Sequence, residues 1–269
     1  MKKSIEKILQ YVQKPARYAG GELNSVIKDK SKIDLRYAFC FPDLYEIGMS
    51  HLGMKILYSL VNSRDDAWCE RVFAPDSDME EQMRKNNVPL FALESGDFIK
   101  DFDLIGFTLM YELSYTNVLN MLDLAGIPLL AKDRKDLAPI ICCGGPCACN
   151  PEPIVDFVDI VFLGDGEEST MELLDLLKKC KKNGESKHDF LLKAKDLRGV
   201  YVPSFYKDSY NEDGTLKELK PLYGAPAKIK KAVVSDMNKC FYPSSFVVPF
   251  MSIVHDRAVE EIFRGCIRG

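Results

Sequence analysis

The amino-acid sequence predicts an α/β protein built around a five-stranded, parallel, doubly wound sheet. Five short runs are apolar along their whole length, and the segments between several of them space apolar residues as a helix does. Helices cover both faces of a parallel sheet. Both faces of each strand are therefore buried, and apolar and polar residues do not alternate along it. This pattern is typical of flavodoxin-like and Rossmann-like domains. The predicted strands are residues 35–41, 68–73, 104–109, 140–143 and 160–163.

Helices are predicted after the first, third and fifth strands, where apolar residues recur three and four positions apart. The segment after the second strand is polar and contains Met79 and Met83. A further helix is predicted near the amino terminus, where Ile5, Ile8 and Val12 share one face. The residues that define the three helices between strands are Met54, Leu57, Tyr58 and Val61; Val118, Met121, Leu122 and Ala125; and Leu173, Leu176, Leu177 and Cys180.

Four regions are predicted along the chain. Asp213-Gly214 lies between two extended runs, at 199–206 and 217–222, and predicts a β-hairpin. Two prolines, Pro226 and Pro243, and a group of lysines suit a linker after it. The predicted regions are a helical extension over residues 1–32, the α/β domain over 33–185, the hairpin and linker over 186–245, and the start of another domain, with a strand over 246–254, in 246–269.

Composition excludes several classes of protein. A net charge of −4 over 269 residues argues against duplex nucleic acid as a partner, because a protein needs a basic face to bind the phosphates of a duplex. We find no apolar run near the ~18 residues of a membrane span and no signal-peptide core, so we expect a cytoplasmic protein without a membrane partner. The nine cysteines are an odd number and several lie in apolar runs, which favours buried thiols over disulfides.

A group of four cysteines invites a zinc interpretation. Cys142, Cys143, Cys147 and Cys149 lie close in sequence. Their spacing differs from the usual Cys-x2-Cys pair, and no second pair of ligands is nearby. Packing is therefore the favoured interpretation, and zinc is the alternative.

Unusual residues follow four of the predicted strands, and ligands of open parallel sheets bind outside the carboxyl ends of the strands. Glycines there would let a ligand approach bare backbone. As alternatives, Gly144-Gly145-Pro146 would be only a tight turn, and the acidic pair Glu167-Glu168 would only complement a helix amino terminus. The candidate cofactor-binding residues are Asp43, Tyr45, Glu46, Thr108, Tyr111, Gly144, Gly145, Pro146, Gly164, Asp165, Gly166 and Glu167.

The acidic loop restricts the kind of ligand. Gly164-Asp165-Gly166 is followed by two glutamates, and the third glycine of a G-x-G-x-x-G loop is missing. The carboxylates would repel a pyrophosphate. The edge therefore disfavours a nicotinamide dinucleotide, and a flavin or nucleotide oxidoreductase with it. A large, mostly neutral ligand rich in amides and hydroxyls suits it better.

Several motifs together resemble the N-terminal part of radical SAM proteins with a cobalamin-binding domain, and in particular a poorly characterised bacterial subfamily. The resemblance extends from about residue 15 to the last residues. The motifs that carry it are FPDLYEIGMS at 41–50, GFTL at 106–109, YEL at 111–113, GGP at 144–146, NPEP at 150–153, GDGEE at 164–168, VHDR at 254–257 and RGC at 264–266.

The resemblance implies that Cys266 is the first thiolate of a Cys-x3-Cys-x2-Cys loop that holds a 4Fe-4S cluster. The full-length protein would then cleave S-adenosylmethionine to a radical, and a cobalamin-binding-like domain would cover the active site, with cobalamin as an additional cofactor. Its partners would be the remainder of the radical SAM domain and an unknown substrate. One cysteine cannot hold a cluster, so residues 1–269 alone are expected to be inactive. A buried structural cysteine is the alternative for Cys266.

One departure from the resemblance concerns the cobalt ligand. Many cobalamin domains carry Asp-x-His-x-x-Gly, but His51 has no aspartate two residues before it and its glycine follows at two residues, not three. Ligation of cobalt by His51 is therefore not expected, and we predict a helix-start or packing role. A second hypothesis follows: the domain is a non-catalytic module that docks a substrate or partner and has lost cobalamin binding.

Overall fold

The computed structural model describes residues 2–265 and contains the predicted α/β sheet. Its strand order is β2-β1-β3-β4-β5-β6, and the first five strands in this order run parallel. The prediction of five parallel strands is confirmed. The strands are β1 (Leu35–Phe41), β2 (Ala67–Phe73), β3 (Leu104–Thr108), β4 (Ile140–Gly144), β5 (Ile160–Phe162) and β6 (Val200–Tyr201).

The sixth strand was not predicted. β6 pairs antiparallel with β5 and extends the sheet beyond residue 185. Its two residues lie within the extended run predicted at 199–206 as the first arm of the hairpin, so that run was assigned to the wrong sheet. The predicted hairpin follows it as a separate two-stranded sheet, with β7 (Tyr206–Tyr210) and β8 (Leu216–Pro221) around Gly214.

Helices cover both faces of the sheet. The face that carries Tyr37 and Phe39 packs against α3, α6 and α7, and the face that carries Ala38 and Cys40 packs against α1, α4 and α5. The helices are α1 (Lys2–Leu9), α2 (Tyr45–Gly48), α3 (Leu52–Asn62), α4 (Ser77–Asn86), α5 (Tyr115–Leu124), α6 (Glu167–Asn183) and α7 (Lys187–Ala194). Within residues 2–265, no helix combines the length and the apolar character needed to cross a membrane.

The strand predicted within residues 246–254 is not present. Residues 246–265 form no strand, and a single antiparallel bridge joins Val248 to Leu23. A strand needs a neighbour along its whole length to pair its backbone groups. This segment contacts its neighbours at isolated points instead.

The amino-terminal segment protects the edge strand β2. The indole nitrogen of Trp68 donates to the carbonyl of Val26 at 2.9 Å, and the backbone N–H of Val26 donates to the hydroxyl of Tyr58 at 2.8 Å. Lys28 Nζ donates to three backbone carbonyls near the start of β2. Covered edges are protected from pairing with other chains.

Two charged residues lie fully buried in the middle of β2. Arg71 donates from Nη2 to Glu22 at 2.8 Å and from Nε to Glu94 at 2.6 Å, and all three side chains are buried. Its neighbour Glu70 pairs with Arg36. A buried charge persists only when it is paired and hydrogen-bonded, so these contacts are required by the burial of β2.

We expect Glu22→Gln to lower the free energy of unfolding by about 3–5 kcal/mol near neutral pH, because it leaves Arg71 with one carboxylate fewer. Burial alone would raise the pKa of Glu22, but the hydrogen bonds and charge of Arg71 outweigh it, and the pKa lies below its usual value. This stabilisation is therefore complete above the unfolded pKa of about 4.3 and is lost as the pH falls through the lower folded value.

Urea unfolding between about pH 3 and pH 7 measures both effects. The variant should show a flatter dependence of stability on pH in the acid range. Glu80→Gln, which removes a partly exposed pair with Arg84, is the matched control and should change stability little. An acid slope that Glu22→Gln leaves unchanged would contradict the prediction.

Candidate functional site

A cavity of about 460 Å³ opens at the carboxyl ends of the parallel strands. It lies on the face of the sheet that packs against α3 and α6. The chain leaves β1 towards β2 on one side and later enters β3 on the other side of β1. Such a reversal of strand order creates a crevice where α/β proteins bind ligands.

The floor of the cavity is formed by the sheet. Tyr37 lies across the adjacent strand β3, where Gly106 leaves room for it: a Cβ at Gly106 would lie 2.3 Å from the Tyr37 hydroxyl. Phe39 and Phe162 provide apolar walls. The floor is therefore largely aromatic.

Two largely buried side chains that line this cavity carry hydroxyl groups. Tyr37 is 4% exposed and Thr108 is 8% exposed, and neither side chain makes a hydrogen bond within the described part of the chain. Burial raises the pKa of Tyr37 well above its usual value, so the phenol keeps its proton. Because the described residues do not use these two hydroxyls, both are available to a ligand in the cavity.

The amino end of α3 forms part of the roof, and His51 is its cap. The Nδ1 atom of His51 accepts a hydrogen bond from the backbone N–H of Met54 at 3.1 Å. Burial and the nearby charge of Lys55 lower the pKa of His51. The ring is therefore neutral, and with Nδ1 accepting, Nε2 carries the proton. The predicted helix-start role of His51 is present in the structure.

Two glycines, in the loops that follow β4 and β5, are required because backbone atoms of other segments leave no room for a side chain. Gly145 has φ of +100°, and a Cβ there would lie 2.7 Å from the Leu109 carbonyl oxygen. Gly164 has φ of +103°, and its Cβ would lie 2.0 Å from the carbonyl oxygen of Ala232. The close approach of residue 232 fixes the loop after β5 against the segment that follows the hairpin. The fold therefore requires glycine at these two positions whether or not a ligand binds.

The rim of the cavity is charged. Asp165 and Glu167 follow β5, and Arg264 and Glu261 come from the carboxyl-terminal segment. Arg264 Nη2 lies 2.5 Å from Glu167 Oε1 and 2.7 Å from Glu261 Oε2. Three carboxylates thus share one guanidinium at the rim, which stays net negative.

The structure brings together most of the predicted site residues. Those that line the cavity are Thr108, Gly144, Gly145, Pro146, Gly164, Asp165, Gly166 and Glu167. Cys266 lies outside the described residues, and its predicted role stays a prediction.

Four predicted residues have partners elsewhere, because they follow strands β1 and β3 but turn away from the cavity. The Tyr111 hydroxyl donates to Asp43 at 2.8 Å and links these two loops. Tyr45 is buried and donates to Glu22 at 2.9 Å. Glu46 accepts from Arg17 at 2.8 Å and from Lys14 at 3.0 Å.

Sequence reasoning missed the residues that make the floor and part of the rim. Tyr37 and Phe39 alternate on β1 with residues of the other face, a pattern hidden within a continuous apolar run. Gly106 was the available indication, because a glycine inside a strand often marks a close approach of another group. Arg264 was noted only as a neighbour of Cys266.

The structure does not support zinc at the group of four cysteines. Cys142 and Cys143 are buried between sheet and helices, and burial raises the pKa of the Cys143 thiol to about 12. Zinc binds the thiolate form, which burial disfavours here. Within residues 2–265, no three His, Cys, Asp or Glu side chains are grouped so that they could hold a metal ion.

The fold is an α/β domain with a cavity at the carboxyl edge of its sheet. The family described as radical SAM proteins, N-terminal, matches residues 53–203, which is more than half of the chain. The chain belongs to this family. The match confirms the predicted relation to radical SAM proteins. The matched residues include the carboxyl ends of β3, β4 and β5, which line the cavity, but not the end of β1.

A relative with a curated sequence gives no further detail of function. The uncharacterized protein MJ0966 of Methanocaldococcus jannaschii is 29% identical over 139 residues. The aligned part is 51% of this chain and 25% of that protein, so the chain spans about a quarter of the length of this relative. No solved structure matches the chain.

We expect Gly164→Ala to destabilise the protein by about 3 kcal/mol, since it adds both backbone strain and a clash with residue 232. Gly184 is the matched control: its φ is +66°, and a Cβ there would meet nothing within 4 Å. Gly184→Ala should cost only about 1 kcal/mol. Chemical denaturation measures both, and equal costs would show that the contact with Ala232 is unimportant.

Proposed function

We propose that this chain is the N-terminal region of a radical SAM enzyme, in which the cavity holds a neutral ligand beside the cluster-binding loop. The observation that carries the proposal is the position of Arg264. This residue lies at the rim of the cavity, and only Gly265 separates it from Cys266. A cluster bound at Cys266 would therefore be close to the ligand in the cavity.

Radical SAM proteins in general use a 4Fe-4S cluster and S-adenosylmethionine, which is the support for these cofactors here. Cys266 would supply one thiolate to the cluster. When bound, the cluster would supply the electron that cleaves S-adenosylmethionine. The described residues would bind and orient the neighbouring ligand and exclude water from it.

We propose that the cavity receives part of a cobalamin, without His51 as a cobalt ligand. Its volume of about 460 Å³ lies within the range of about 300–1,000 Å³ that is typical of small-molecule sites, so it would hold a part of a cobalamin. Tyr37 and Thr108 could bind polar atoms of a flat, uncharged group between aromatic walls. We propose cobalamin as the ligand on this basis.

The protonation of His51 argues against its ligation of cobalt. A metal ligand needs a free lone pair, and here Nδ1 is occupied by the Met54 N–H while Nε2 carries the proton. Freeing a lone pair would break the cap of α3. Any cobalamin would therefore bind without His51 as a cobalt ligand.

That His51 does not ligate cobalt also favours the second candidate function. A domain that keeps the fold without a cobalt ligand could dock a substrate or a partner instead, as a non-catalytic module. The cavity would then hold a group of that substrate.

The regions predicted from the sequence remain proposals. We propose an α/β domain over residues 33–185, to which β6 adds an edge, and a radical SAM domain that begins at residue 246. We further propose that the remainder of that domain and an unidentified substrate are the partners. A cytoplasmic location is proposed because the buried cysteine thiols suit a reducing compartment.

We expect Tyr37→Phe to weaken binding of hydroxocobalamin by about three- to tenfold, because it removes one hydrogen bond to the ligand. Stability should not fall, since the hydroxyl makes no hydrogen bond within residues 2–265. Tyr58→Phe is the matched control: it removes a hydroxyl that accepts from Val26 and should lower stability but not affinity.

Titration followed by the corrin absorbance measures this affinity. Equal affinity of wild type and Tyr37→Phe would place the ligand elsewhere. Failure of the wild-type protein to bind hydroxocobalamin would favour the docking function.

We expect Cys266→Ala to abolish both the 4Fe-4S cluster and the cleavage of S-adenosylmethionine in a protein that extends beyond Gly269. The proposal requires a cysteine directly after Gly269 and another three residues later. Iron content and 5′-deoxyadenosine formation are the measurements, and Cys149→Ala, at an exposed thiol, is the control. A cluster retained in Cys266→Ala would refute the proposed ligand.

A further inference from the structure

Residues 246–264, which we call the crossing segment, run along the carboxyl edge of the sheet from the β2 side to the loop after β5. The segment has little regular structure but is attached at separate points. The attachments are the bridge of Val248 to Leu23, the N–H of His255 to Ser50 Oγ at 3.0 Å, and the ion pair of Arg264 with Glu167 at 2.5 Å. The segment therefore passes over the amino ends of α3 and α6, where the cavity opens.

The last of these attachments is a cluster of ion pairs. Arg264 contacts Glu167 and Glu261, and its Nη1 lies 3.6 Å from Asp165. The side chains of this cluster are between 12% and 26% exposed, so water screens them less than it screens an ordinary surface pair. Arg264 donates from Nε and Nη2 to Glu261 and from Nη2 to Glu167.

The carboxylates of the cluster belong to two parts of the chain. Asp165 and Glu167 line the cavity, and Asp165 also accepts from the backbone N–H of Val234 at 2.7 Å. Glu261 belongs to the crossing segment. Without the guanidinium, these like charges would repel each other and separate the segment from the rim.

We propose that Arg264 is a positioning residue, whose ion pairs with Glu167 and Asp165 hold the backbone that leads into Cys266 against the rim of the cavity. A group that enters the cavity and displaces the loop after β5 would then also displace the residues that bind the cluster. This coupling rests on the proposed function, because it requires a cluster at Cys266.

Trypsin cleavage of the 269-residue chain tests the attachment without any cofactor. Trypsin cuts after Arg264 only when its side chain leaves the carboxylates, whereas Arg257 in the same segment is exposed and serves as the internal reference. Glu167→Gln should raise the rate of cleavage after Arg264 relative to Arg257 by about fivefold, which corresponds to about 1 kcal/mol.

Glu168→Gln is the matched control. Glu168 is the exposed neighbour of Glu167 and makes no ion pair with Arg264 in the described chain, so the same change of charge should leave the ratio of the two cleavages as in wild type. Equal ratios for Glu167→Gln and wild type would overturn the proposal.

The coupling is tested in a protein that extends beyond Gly269 and carries a reconstituted cluster. The electron paramagnetic resonance spectrum of the reduced cluster with S-adenosylmethionine should change in Arg264→Gln and in Glu167→Gln but not in Glu168→Gln. The double variant Arg264→Glu with Glu167→Arg should recover the wild-type spectrum, which a general loss of folding would not allow.

The two experiments separate the possible failures. A wild-type protein without a cluster would refute the proposed function, and the cleavage ratio would still decide whether Arg264 attaches the segment. A normal cluster spectrum in Arg264→Gln and Glu167→Gln would overturn the coupling and leave the proposed function intact. Circular dichroism of each variant shows whether the sheet is retained.

Discussion

The buried guanidinium of Arg71 is the charge on which the arrangement of the chain around the sheet depends. Leaving it unpaired in the core would be strongly destabilising, so Glu22 and Glu94 must both come to β2. Glu22 also accepts from Tyr45, which begins α2 after β1. One charge thereby joins the amino-terminal segment, the edge strand and the loop after β1. Leu23, next to Glu22, then receives the start of the crossing segment.

The cavity follows from the strand order together with side-chain size. The reversal between β1 and β3 opens the crevice, and α3 and α6 close it from one side. Close backbone approaches at Gly145 and Gly164 fix the loops that make its wall. The amino-terminal and carboxyl-terminal segments thus influence the site without forming its floor, because they determine where the loops after β1 and β5 lie.

Much of the fold could be predicted from the sequence, and about two thirds of the predicted site residues line one cavity. The apolar runs identify parallel strands because burial on both faces removes alternation. This continuous apolar character also hides which residues face which layer of helices. The position of Tyr37 in the floor of the cavity was therefore missed. A motif locates a residue at a strand end but not the direction of its side chain. Glu46 and Tyr45 turn to Arg17 and Glu22, partners that are distant in sequence.

The hydrogen atom that Gly106 carries in place of a side chain sets the depth of the cavity. The phenol of Tyr37 occupies the space where a methyl group would stand, only 2.3 Å from its hydroxyl. A larger residue would push the ring upwards and shorten the space available to a guest. The single carbon atom that Gly106 lacks thus decides how much room the cavity offers a guest.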